Sequence, residues 1–377
     1  MAAAPLMEPH GGNRASVARR LGCRPDQLLD ASASLVPFGL PLVDRFQLLR
    51  STLGSPLRDY PDRSYSGFAA AAAALHGVQK ASVLVGNGAA ELFTWAARDA
   101  AAAGSSWLPE PGFADYRRAL ATWQAKVQSV PLPAHWSAAF PHAFATATAT
   151  ATAAAVGEGA LWLTNPHNPT GQLWSRESLE PWLERQSLVI CDEAFLPLVP
   201  NGEAQSLIPL VESHPNLVVI RSLTKLYGLA GLRLGYAIAQ PERLARWAAW
   251  RDPWPVNGLA ASLGAWLLGD PQRHGRWSAR VQGWVREEGA WLASELAGLP
   301  GLRPMPSAAN YLLIRSDHEL VSMREALEQR HRILLRDCRS FAGLGENWLR
   351  IGFQKRSQNR RIVAALRQEL AGYGQAP

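Results

Sequence analysis

Five short apolar runs, each ended at once by a polar or glycine-bearing turn, constrain this 377-residue chain more than any other feature. They are SVLVG (82–86), LWLT (161–164), SLVIC (187–191), LVVIRS (217–222) and GYAIA (235–239). Runs this short, rich in Val, Leu and Ile with no polar alternation, fit strands covered on both faces. Helical patterns separate them, which predicts an α/β body with a mostly parallel central sheet flanked by helices. Four turns stand at strand ends: GNGAAELF (86–93), NPHNPTG (165–171), DEAF (192–195) and SLTK (222–225). In open α/β sheets ligands collect beyond the carboxyl ends of the strands, so these turns are expected to meet at one site.

Past RDPWPVNG (251–258) the texture changes to Ala/Leu/Trp/Arg-rich helices, then two strand-like runs, NYLLIR (310–315) and RILLR (332–336), and a last helix. This predicts a smaller α+β domain. The expected division is an N-terminal segment 1–45, a large domain 46–258 and a small domain 259–377. The Ala run 69–74 reads as plain helix, and the Ala/Thr tract 145–155 as low complexity with no chemistry to assign.

Composition removes several classes of function. Hydrophobic content of 47% and charged content of 18% fit a soluble globular protein. The net charge of +7 suits anionic partners, but the basic residues are scattered with no basic stripe or recognition helix. The expectation is a solvated basic surface with a small-anion site, and no nucleic acid. Three cysteines, Cys23, Cys191 and Cys338, without CxxC spacing predict neither disulfides nor zinc, and no metal is expected. A cytoplasmic location is expected, since the N-terminus has no basic region followed by an apolar core. The uncharged stretch 127–157 is broken by prolines and histidines and is not read as a membrane span.

In SLTKLYGLAGLRLGY (222–236), Lys225 stands among apolar and glycine residues, three after Ser222 and eight before Arg233. A surface lysine is the plain alternative. A buried one would have a lowered pKa and a free amine able to condense with an aldehyde. A hydroxyl and a guanidinium nearby are what a phosphate needs.

With these residues the chain resembles the fold-type I pyridoxal-phosphate (PLP) enzymes of the class I/II aminotransferase superfamily. The resemblance implies that Lys225 carries the cofactor covalently and that Ser222 and Arg233 hold its phosphate. The small-residue loop of GNGAAELF offers backbone N–H groups of Gly88, Ala89 and Ala90 to the same phosphate at a helix start. Asn168 can donate to the ring's phenolic oxygen, and Asp192 can keep the pyridine nitrogen protonated. For Asp192 a helix cap or an ion-pair partner remains open. Phe113, in PEPGFADY, stands where the family stacks an aromatic on the ring, with a core phenylalanine as the alternative. Tyr60, in DYPD, matches the tyrosine that reaches the phosphate of a neighbouring subunit, implying a homodimer. Arg350, in WLRIGF, matches the superfamily's α-carboxylate clamp, and Arg336, in RILLRDC, matches the arginine that the histidinol-phosphate-aminotransferase-like branch uses for a substrate phosphate, with surface arginines as the alternative.

HGGNRASVARRLG (10–22), LLDASASLVPFGLP (28–41), PGFADY, DEAF, PWPVNGLA and ANYLLIR together narrow the resemblance to the threonine-phosphate decarboxylase branch. The implied reaction is decarboxylation of O-phospho-L-threonine to (R)-1-aminopropan-2-yl phosphate and CO2, in cobalamin biosynthesis. The implied substrate contacts are His10, Gly11, Ser34, Asn168, Arg336 and Arg350, with the His-Gly-Gly-Asn turn as a phosphate nest. Two departures stand out: Ser34 and Val36 where the branch has asparagines, and Phe195 where many aminotransferases have a tyrosine. The alternatives are a histidinol-phosphate or related aminotransferase and a non-catalytic sensor or scaffold on the same fold.

Overall fold

The computed structural model describes residues 10–54, 57–133, 135–144 and 156–373. The Ala/Thr tract 145–155 lies outside them. Two short strands, β1 (Leu29–Asp30) and β2 (Val83–Asn87), precede β3 (Ser106–Glu110), β4 (Val127–Pro131), β5 (Ala160–Thr164), β6 (Leu188–Asp192), β7 (Leu217–Ser222) and β8 (Leu234–Ile238). Strands β2 to β8 form one sheet in the order β2-β8-β7-β6-β5-β3-β4. All its pairs are parallel except those of β8 with β2 and β7.

The five expected runs are all strands, shifted by at most one residue at either end. Two strands of this sheet, β3 and β4, were not expected. β4 has the mostly exposed pattern of an edge, with Gln128, Ser129 and Pro131 turned to solvent and only Val130 buried. β3 contains Pro109, past Ser106 and Trp107 where its pairing with β5 stops, so no ladder bond on that side needs its N–H.

Alternation along the strands divides the core in two. Leu188, Ile190, Val218 and Ile220 pack with helices Gly88–Ala102 and Ala114–Thr122 on one face. Val189, Cys191, Leu217 and Val219 belong to the larger core on the other face. Burial on both faces explains why these runs read as continuous apolar segments.

A four-stranded antiparallel sheet, order β12-β13-β10-β9, is built from β9 (Leu302–Pro304), β10 (Tyr311–Ser316), β12 (Arg336–Asp337) and β13 (Trp348–Gly352). The run RILLR does not form one strand. Its first part is β11 (Ile333–Leu334), which pairs in parallel with β1, and its end enters β12 beside β13. The break lies at Leu335, which the two-residue pairings leave between the sheets. The same pairing ties the N-terminal segment to the C-terminal part of the chain, with Leu29 and Asp30 opposite Ile333 and Leu334.

Candidate active site

The four turns converge as the strand order requires, on a cavity of about 220 Å³ at the carboxyl ends of β5, β6 and β7. Lys225 lies in the five-residue helix Leu223–Tyr227, directly after β7, and faces this cavity. Burial and the nearby Arg350 lower its pKa to about 8, against the opposing pull of Asp192. Its Nζ lies 5.1 Å from the centre of the Phe195 ring, which is itself edge-on to Tyr311 at 5.2 Å. A hydrocarbon wall on that side leaves the amine without a hydroxyl partner from residue 195.

Asp192 ends β6 and is 6% exposed. Burial pushes its carboxyl up to about 6, while the Tyr116 hydroxyl at 2.6 Å and the Ala194 N–H at 2.9 Å hold it down. Tyr116 also meets the Thr164 hydroxyl at 2.8 Å, so both groups share one network. Tyr116 was not singled out from the sequence, although it sits one helical turn after Phe113. That i, i+3 spacing is the signal that placed it in reach.

The phosphate-type cradle is formed by Arg233, Ser222 and the first turn of helix Gly88–Ala102. Gly88 has φ +72°, and a Cβ there would meet Arg233 Nη2 at 2.6 Å. A side chain is disfavoured at this φ, and its Cβ would push the guanidinium tip away from the helix start. Arg233 itself is held at φ +56°, a conformation a side chain of this size seldom adopts. Ala89 and Ala90 line the cavity beside it, and Ser222 caps its own short helix by accepting from the Thr224 N–H. Phe113 also lines the cavity and packs edge-on to Tyr116 at 5.5 Å.

Arg336 and Arg350 reach the same cavity from the antiparallel sheet, where they are paired residues on β12 and β13. Both are buried, at 3% and 6% exposure. Arg350 donates through Nη1 to Asn168 Oδ1 and through Nη2 to the Ser32 carbonyl at 3.2 Å. With Oδ1 spent on Arg350, the NH2 half of Asn168 is the part left to donate to a ligand. The Arg350 Nε has no partner among the described residues. Arg336 donates to Ser340 Oγ at 2.5 Å and lies 4.9 Å over Phe341, a wall residue the sequence did not point to.

His10, Gly11 and Ser34 also line the cavity. His10 stacks obliquely near Phe113 at 5.8 Å, and burial lowers its pKa despite the nearby Asp115 carboxylate. The glycine turn after it closes mainly on protein: the Gly12 N–H goes to Ser32 Oγ at 2.9 Å, and a Cβ on Gly11 would strike the Ser32 carbonyl at 2.4 Å. Gly12 is therefore not an open donor of a nest. Ser34 is 1% exposed and its hydroxyl has no partner among the described residues. Val36 is buried in the apolar core.

Tyr60 is not brought into this cavity. It is 79% exposed and stacks on Trp254 at 4.3 Å, beside separate surface cavities. Among the described residues no group of His, Cys, Asp or Glu is arranged to hold a metal, and no helix is long and apolar enough to cross a membrane.

The donor set therefore combines an amine near neutrality, a buried acid and an anion cradle that a Cβ at Gly88 would block. Those are the fittings of a PLP-dependent fold-type I enzyme, and the residues present fit that cofactor. The family model for class I and II aminotransferases matches residues 43–366, and the chain belongs to that family. A threonine-phosphate decarboxylase of Salmonella typhimurium is 36% identical over 373 residues, covering 97% of this chain and 98% of the relative. A histidinol-phosphate aminotransferase of Symbiobacterium thermophilum is 36% identical over 291 residues, or 76% of each chain. In structure, L-threonine-O-3-phosphate decarboxylase from Porphyromonas gingivalis superposes with a TM-score of 0.76 at 23% identity, covering 91% of this chain and 100% of that one.

Proposed function

We propose that the chain decarboxylates O-phospho-L-threonine to (R)-1-aminopropan-2-yl phosphate and CO2, with PLP as cofactor, as a step of cobalamin biosynthesis in the cytoplasm. The observation that carries this reading is the opposed pair Arg336 and Arg350 at the Lys225 cavity. O-Phosphothreonine presents a phosphate and a carboxylate in one molecule and fits both arginines at once; a histidinol-phosphate aminotransferase would use the same two in turn for its phosphate substrate and its dicarboxylate partner. The near full-length likeness to the Salmonella decarboxylase, against 76% coverage for the Symbiobacterium aminotransferase, supports the decarboxylase.

In this reading Lys225 would hold the cofactor covalently, Asp192 would keep its ring nitrogen protonated, and Asn168 and Phe113 would hold the ring. Ser222, Arg233 and the Gly88–Ala90 turn take its phosphate. When bound, PLP supplies an electron sink for the pair left at Cα as CO2 departs. The chain's own residues choose the bond and manage charge. Arg350 receives the α-carboxylate through its free Nε and remaining N–H groups, and Arg336 takes the phosphate. His10 and Gly11 border the phosphate, and the Ser34 hydroxyl gains the partner it lacks. Phe113, Phe195 and Phe341 limit water, and the Lys225 amine, released from the cofactor when the substrate amine takes its place, would return a proton to Cα.

A second copy of the chain completes the reading. Helix Leu42–Thr52 and the residue after it expose Leu42, Phe46 and Leu53 at 82%, 66% and 85%. A second copy would cover this apolar face, and Tyr60 would enter the partner's cavity. The division into 1–45, 46–258 and 259–377 belongs to the same proposal, with the first segment closing the site through His10, Gly11 and Ser34.

Product analysis tests the function. Incubation of the PLP-loaded protein with O-phospho-L-threonine should yield aminopropanol phosphate, and histidinol phosphate with 2-oxoglutarate should yield nothing. Turnover of histidinol phosphate alone would replace this reading with the aminotransferase.

A further inference from the structure

Two residues adjoining the site in sequence, Glu193 after Asp192 and Arg221 before Ser222, turn away from it. Neighbours along a strand point to opposite faces. On the far face Arg221 is 2% exposed and meets Glu193 at 2.7 Å, Glu203 at 2.7 Å and Ser206 Oγ at 2.9 Å. Glu193 also accepts from the Leu207 N–H at 2.7 Å and the Ser206 hydroxyl at 2.8 Å. Its own N–H donates to the Ile220 carbonyl at 2.9 Å, which carries the β6–β7 ladder one residue past Asp192.

The two carboxylates are unequal: the Glu203 side chain is 49% exposed and that of Glu193 0%. Glu193 therefore depends on Arg221, whereas Glu203 has water. Arg221 also borders a second cavity of about 400 Å³ shared with Leu226 and Tyr236, so packing alone does not brace the strand ends there. A fully buried ion pair gives little net stability, because desolvation cancels most of the attraction. What it does give is fixed geometry between two strands.

We propose that Arg221 and Glu193 are positioning residues for the reaction. Their ion pair pins the ends of β6 and β7 from behind the sheet and thereby sets the carboxylate of Asp192 and the hydroxyl of Ser222 in front of it. The inference rests on the proposed function for what Asp192 and Ser222 hold.

The test compares Arg221→Met with the double variant Arg221→Met/Glu193→Gln. PLP affinity of the apo-protein, thermal unfolding, and KM at saturating PLP are measured for each. The single variant leaves a buried carboxylate unpaired and should lose both stability and PLP affinity. The double variant removes that charge, so its melting temperature should return toward the parent's while PLP binding stays about tenfold weaker. KM for O-phospho-L-threonine should stay within about twofold, because Arg336 and Arg350 stand on another sheet and a pair remote from the substrate adds no binding energy to it. A double variant that regains stability and binds PLP like the parent overturns the proposal. So does one that stays as unstable as the single variant, which makes the pair a stability element only. A parent protein that takes up no PLP would instead overturn the cofactor reading.

Discussion

Arg336 and Arg350 are direct partners in the antiparallel pairing of β12 and β13, so two buried guanidinium groups leave neighbouring strands on the same face. Both side chains reach the Lys225 cavity, where one ligand with two anionic groups can engage them together. The thirteen residues between them in sequence turn the chain back into this register.

Arg336→Ala should weaken O-phospho-L-threonine binding by about 30- to 150-fold, which corresponds to ~2–3 kcal/mol for a buried charged hydrogen-bond partner. L-Threonine binding should change little. Arg350→Ala should weaken both ligands. Titration of the PLP-loaded variants with the two amino acids separates these outcomes, and equal losses for both ligands in Arg336→Ala would move the phosphate site.

Tyr116→Phe should raise the Asp192 pKa above its value of about 6, because the phenolic hydrogen bond is the largest influence holding it down. The ionised carboxylate is the form that favours a protonated pyridine nitrogen. It is lost as pH falls through the pKa, so the acid limb of PLP binding should begin at higher pH in the variant. Apo-protein stability runs the other way: an acid raised from 3.8 to about 6 stabilises the fold below pH 4 and loses that contribution as pH rises through 6. Fluorescence titration with PLP from pH 5 to 8 reads the first effect, and melting curves of the apo-protein read the second.

Ser34→Ala removes a buried hydroxyl that has no partner among the described residues. The ligand-free protein should keep or gain stability, because no hydrogen bond is broken and an unsatisfied group disappears. KM for O-phospho-L-threonine should rise. Calorimetry and steady-state kinetics on one preparation test both statements, and a destabilised variant with unchanged KM would remove Ser34 from the site.

Phe46→Glu with Leu53→Glu places charge on the exposed apolar face of helix Leu42–Thr52 and its end. Sedimentation should show a dimer for the parent and a monomer for the variant. Tyr60→Phe should leave the dimer intact and weaken PLP binding.

Much of the site was legible because each contribution is a contiguous strand-end turn. Lys225, Asp192, Asn168 and the Gly88–Ala90 loop come together once the strands of one sheet are recognised. Contacts set by tertiary register were not legible. Tyr116 meets Asp192 across 76 residues, and Arg221 faces Glu193 only because both lie on the hidden side of neighbouring strands. The opposition of Arg336 and Arg350 depends on RILLR being divided between two sheets, which its uniform apolar character conceals. β3 and β4 were missed for local reasons, a proline within one and the polar edge pattern of the other.

The most direct measurement is release of labelled CO2 from carboxyl-labelled O-phospho-L-threonine by the PLP-loaded protein with no 2-oxo acid present. The account predicts stoichiometric CO2 and aminopropanol phosphate from the parent and none from Lys225→Ala. Retention of the label together with strict dependence on 2-oxoglutarate would contradict it.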